Sequence, residues 1–117
     1  MTDATYARMH RLAMATLGAG FHTILDATFL RHAQRVDARR LACALGARFV
    51  ILDFDVDAAV LRQRVRARSA HGGDASDADE AVLDAQLRSA EPLQSDESGT
   101  VFPCGPLAST DFGGNLI

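Results

Sequence analysis

A chain of 117 residues is long enough for one hydrophobic core and no second one. With 48% apolar and 23% charged residues, and with Cys43 and Cys104 in no CxxC pair, it reads as an ordinary globular protein of a reducing compartment, the cytoplasm. A net charge of −3 and a scarcity of aromatics (six Phe, one Tyr, no Trp) argue against nucleic-acid binding, and no signal peptide or membrane-length apolar run is present.

All 12 cationic residues are Arg. That excludes a Schiff-base or general-base lysine and the phosphate-gripping Lys of a P-loop. Residues 3–17 carry Tyr6, Met9, Leu12, Ala13 and Leu17 at three- and four-residue spacing, which predicts a helix capped by Thr2 or Asp3. His10 lies off this stripe and reads as solvated. Gly18 and Gly20 offer the positive-φ turn that ends the helix. Phe21-His-Thr-Ile-Leu is β-rich and too short for a helix, so 21–26 is predicted as a strand with His22 in the core. Asp26 and Thr28 then fall at its carboxyl end, where open α/β sheets place their ligands.

Residues 31–45 predict a second helix ending at Gly46, with Cys43 on its apolar face. Arg31, Arg35 and Arg39 recur every four residues and share a face. That face is either solvated or an anion-binding stripe near the mouth of a site. Arg48-Phe-Val-Ile-Leu-Asp-Phe is apolar nearly throughout, as a doubly covered parallel strand is, and completes a strand–helix–strand unit.

Residues 56–68 predict a third helix with Val56, Val60, Leu61 and Val65 inward and Arg62, Arg64, Arg66 and Arg68 mostly outward. His71-Gly-Gly-Asp-Ala-Ser breaks it. Ser76 or Asp77 caps a fourth helix running to about Ser89, with Asp79 and Glu80 where the dipole favours anions. A loop from Glu91 leads to a short third strand at 100–102, and 109–117 has no periodicity. The four His and two Cys show no metal-ligand spacing, and no Ser sits in a nucleophile elbow.

Leu25-Asp26-Ala27-Thr28-Phe29-Leu30-Arg31-His32-Ala33-Gln34-Arg35 resembles the strand and Asp-Ala-Thr segment of small P-loop kinases. The likeness is to the AAA-type, zeta-toxin-like and gluconate-kinase-like domains, of the kind fused to aminoglycoside phosphotransferase-like domains. An arginine-rich helix, Gly72-Gly73 and Asp74-Ala-Ser-x-Ala-Asp look like the lid of these kinases, over about 62–77, and Ala85-Gln86 and Glu91-Pro92-Leu93 follow at family spacing. The resemblance implies a three-layer α/β P-loop-kinase fold in a single domain, 1–108, with about three strands and four helices. It implies ATP and Mg2+ as cofactors and γ-phosphoryl transfer to a small-molecule hydroxyl. It casts Asp26, Arg64 and Arg68 as catalytic residues and Thr28, Arg31 and Arg35 as substrate or anion contacts, with no metal ligands assigned.

The family's Gly-x-x-x-x-Gly-Lys-Ser/Thr loop and its central strand have no counterpart in these residues. The expectation is therefore a truncated domain, the remnant or half of a kinase and not catalytic alone. A homo-oligomer or a complementing chain would fill the central ladder position, since a buried sheet cannot leave backbone donors and acceptors unpaired. The alternative is a non-catalytic α/β oligomerisation or protein-interaction module.

Overall fold

The computed structural model describes residues 2–72 and 77–104. They form four α-helices and two strands in the order α1 (Asp3–Gly18), α2 (His32–Ala44), β1 (Ile51–Asp53), α3 (Ala58–His71), α4 (Asp77–Ser89) and β2 (Val101–Pro103), with a 3-10 helix at Ser95–Thr100 before β2. No helix among these residues is long and apolar enough to cross a membrane. The chain divides into two compact units. The first holds residues up to Phe49 and takes back Ser89–Ser98; the second holds Val50–Arg88 and the chain from Gly99.

In the first unit α1 starts at Thr2, whose hydroxyl accepts the Thr5 N–H at 3.4 Å. Gly20 closes the helix end with φ of +88°, and the Ala19 and Gly20 N–H groups return to Ala15 and Leu17. The buried apolar residues are Tyr6 and Ala13 of α1 and Ala38 and Ala42 of α2. Small side chains on both helices let their backbones approach closely, and α1 and α2 are in direct contact. His10 is half-buried, with Nε2 sealed from solvent and lacking a hydrogen bond, which corrects its reading as solvated. Cys43 is exposed rather than a core residue.

The second unit contains a two-stranded parallel sheet. Ile51, Leu52 and Asp53 pair with Val101, Phe102 and Pro103. Pro103 ends the strand, so its missing N–H costs no interior ladder bond, and the Cys104 N–H reaches the Asp53 carbonyl at 2.6 Å. Two of the three expected strands are therefore present, β1 shorter than expected and β2 displaced by one residue from 100–102.

The third departs from expectation. Residues 21–26 are extended but join no sheet, and Phe21 and Ile24 are 68% and 86% exposed. His22 is exposed as well. Their β propensity is real, but a strand is defined by a neighbour, and among the described residues none lies alongside. The parallel connection observed is instead β1 to β2 by way of α3 and α4.

Candidate functional site

Four of the six expected site residues lie in the first unit, around the turn between the extended segment and α2. Phe29 sits there in the left-handed region, with φ of +45°. A bulky residue in that region is strained and must be held by its surroundings. The Tyr6 hydroxyl accepts the Phe29 N–H at 3.1 Å and lies 3.5 Å from the Thr28 hydroxyl. The Tyr6 and Phe29 rings pack edge to face at 5.4 Å. From the other side Arg35 donates to the Phe29 carbonyl at 2.8 Å. The Asp-Ala-Thr-Phe turn is thus preformed, with Asp26 and Thr28 exposed on it.

Arg35 is not an open anion-binding residue, and here the structure corrects the expectation. Its guanidinium is 6% exposed and all five N–H groups have acceptors. Nε and Nη2 bind the Glu97 carboxylate at 2.7 and 3.2 Å, Nη1 binds the carbonyls of Phe29 and Glu91, and Nη2 also binds that of Pro92. Burial pushes the Glu97 carboxyl upward, but the Arg35 fork, the Gln94 N–H and the nearby His32 together hold it below its ordinary value.

Around this pair the first two turns of α2 grip the segment 91–97. Glu91 Oε2 accepts the His32 N–H at 2.7 Å, placing a carboxylate on the helix N-terminus. His32 Nε2 lies 3.3 Å from Asp96 Oδ2, and Arg39 donates to the Asp96 carbonyl at 2.9 Å. Arg35 of the stripe does meet an anion, but it is the chain's own Glu97, and Arg39 meets a backbone carbonyl. Arg31 stands apart from this grip: its side chain is exposed and its backbone N–H is capped by Gln34 at 3.2 Å.

His32, Asp96 and Glu97 bring one ligand atom each within 4.8 Å of one another. The Arg35 guanidinium already neutralises Glu97 there and would repel a divalent cation, so the donor set suits the internal ion pair better than a metal.

The remaining two expected residues are in the second unit. On α3, Arg62 forms an ion pair with Asp84 of α4 at 2.8 Å and Arg66 one with Glu80 at 2.6 Å. The Ser69 hydroxyl donates to Asp79 Oδ2 at 3.0 Å. Hydrogen bonding by Arg66 lowers the Glu80 carboxyl, and hydrogen bonding by Arg62 lowers that of Asp84. Arg64 and Arg68 are exposed and, among the described residues, have no carboxylate partner. At 100° per residue they lie about 200° from Arg62 and Arg66, on the far side of α3 from the ladder. The Asp74-Ala-Ser return and its caps fall outside the described residues.

Sequence reading missed Tyr6, Glu91, Asp96 and Glu97 in the first unit. It also missed the ladder, whose signal was present: Arg62 and Arg66 are spaced by four, as are Glu80 and Asp84, on helices expected to follow each other closely.

Among known families, one described as an AAA domain matches residues 1–93. No curated protein and no solved structure matches the chain. The match spans the Asp-Ala-Thr turn, the arginine stripe, α3 and α4, the segments that carry the P-loop kinase likeness. The chain belongs to this P-loop kinase-like AAA-domain family.

Proposed function

We propose that this chain is the remnant or half of an ATP-dependent small-molecule kinase, supplying the Asp26–Thr28 turn and the arginine lid but not catalysing transfer alone. The observation that carries the reading is the family match over residues 1–93, which takes in both elements. Arg64 and Arg68 are the lid contacts. Phosphoryl transfer spreads negative charge over equatorial oxygens, and exposed guanidinium forks stabilise it with paired donors. Asp26 is an exposed carboxylate on a preformed turn, suited to a magnesium-bound water or an acceptor hydroxyl, with the Thr28 hydroxyl and Arg31 beside it in sequence. ATP and Mg2+ are the cofactors; when bound, the metal neutralises charge between the phosphates. No Gly-x-x-x-x-Gly-Lys-Ser/Thr loop and no Lys occur in these 117 residues. The reading therefore assigns phosphate gripping to a further segment or a complementing chain in the cytoplasm.

The test is ADP formation from Mg-ATP. The chain alone is expected to form none above buffer. A complex with a loop-bearing polypeptide forms ADP, and Arg64→Ala with Arg68→Ala lowers that rate by about 100-fold or more. Turnover by the chain alone, or a complex indifferent to the two arginines, contradicts the proposal.

The second reading is a non-catalytic homo-oligomer or protein-interaction module. Leu52, Phe54 and Phe102 are exposed on or beside the short sheet, and the unladdered 21–26 segment exposes Phe21 and Ile24. Apolar surface of this kind favours association. A stable homo-oligomer in sedimentation that ignores Mg-ATP supports this second reading.

A further inference from the structure

We propose that His71 is a third polyanion contact on α3, in line with Arg64 and Arg68, and that it makes this face prefer a chain of linked phosphates to a single phosphate. The inference rests on the reading of Arg64 and Arg68 as phosphate contacts.

Positions 64, 68 and 71 fall within about 60° of one another on a helix that advances 100° per residue. All three side chains are exposed. The opposite side of α3 is occupied: Arg62, Arg66 and Ser69 are tied to Asp84, Glu80 and Asp79. Asp79, Glu80 and Asp84 of α4 are thereby engaged away from the stripe. Among the described residues of α3, the charged groups on the face of His71 are Arg64 and Arg68, with the N-cap Asp57 in line two turns before Arg64, its carboxylate accepting the Ala59 N–H at 2.9 Å.

The ring of His71 is already oriented. Its Nδ1 lies 3.1 Å from the Ala67 carbonyl, which can only accept, so Nδ1 carries the proton. Nε2 remains for a ligand. In the imidazolium form both ring nitrogens donate, so Nε2 presents an N–H to a phosphate oxygen. His71 also lies in the last turn of α3, where the helix dipole favours a cation.

Spacing sets the ligand class. Along the axis Arg64 and Arg68 are about 6 Å apart and His71 lies about 4.5 Å beyond Arg68. A single phosphate engages neighbouring members of the stripe, whereas linked phosphates extend along all three.

The experiment is calorimetric titration of the chain with orthophosphate, inorganic triphosphate and Mg-ATP. Removing one charge-assisted contact weakens binding roughly two- to tenfold. His71→Ala is expected to weaken triphosphate to this extent and orthophosphate by less, because Arg64 and Arg68 remain for a single phosphate, and His71→Arg is expected to restore affinity. The same loss with Mg-ATP identifies the nucleotide as the source; a loss confined to inorganic triphosphate identifies free polyphosphate. His71→Ala behaving as wild type while Arg64→Ala with Arg68→Ala loses binding overturns the role of His71 and leaves the lid reading standing. No binding of triphosphate to the wild-type chain overturns the role of His71, and the lid reading then stands or falls on ADP formation by the complex and its loss in Arg64→Ala with Arg68→Ala.

Discussion

Arg35 and Glu97 are 6% and 3% exposed, and each answers the other's charge in the middle of the first unit. Replacing both by apolar residues can be nearly neutral, but removing one leaves an uncompensated buried charge. Glu97→Ala is expected to destabilise the first unit by about 3–5 kcal/mol, and Arg35→Met with Glu97→Leu by markedly less, both measured by urea denaturation. The pH dependence follows from the direction of the Glu97 shift. Its folded-state value is below its ordinary 4.5, so its contribution is complete above that value and is lost as pH falls through the lowered one. Glu97→Gln should flatten the stability profile in that acidic window and leave its shape above pH 6 unaltered. The i, i+4 spacing of Arg31, Arg35 and Arg39 made a shared face legible. It did not reveal that Arg35 meets the Glu97 carboxylate and Arg39 the Asp96 carbonyl, because both partners lie more than 50 residues away. Only the folded turn around Phe29 brings them to α2.

At the scale of elements, α3 and α4 are held by reciprocal ion pairs on exposed surfaces, which salt screens. Arg66→Glu should speed amide exchange in α4, and Arg66→Glu with Glu80→Arg should restore it; equal exchange in all three proteins would mean the ladder does not hold the helices. All four helices were legible because apolar spacing, Gly punctuation and caps agree within each segment. The predicted strand at 21–26 failed for a physical reason. Helices satisfy their own backbone groups, whereas an extended segment depends on a neighbour that local sequence does not specify. Val101–Pro103 succeeded where 21–26 did not because β1 lies beside it. The i, i+4 spacing made it legible that Arg64 and Arg68 share a face of α3 apart from Arg62 and Arg66, and the structure adds that Arg62 and Arg66 are paired with α4.

At the scale of the whole chain, family membership and an arginine face without carboxylate partners among the described residues lead to one account. We propose that the chain supplies the Asp26–Thr28 turn and the Arg64 and Arg68 lid contacts of a phosphoryl-transfer enzyme, the arginines meeting a nucleotide's phosphates. If apolar exposure at Phe21, Ile24, Phe54 and Phe102 reflects association instead, sedimentation will show a concentration-dependent oligomer whose formation is suppressed by Phe54→Ser. The most direct measurement is a calorimetric titration of the purified chain with Mg-ATP beside its Arg64→Ala, Arg68→Ala variant. The account predicts a saturable heat for the wild-type chain that disappears in the variant while the variant's folded signal is retained. The same heat from both proteins would contradict it, whereas no heat from the wild type would rule out nucleotide binding by the chain alone and leave the lid to act only in a complex.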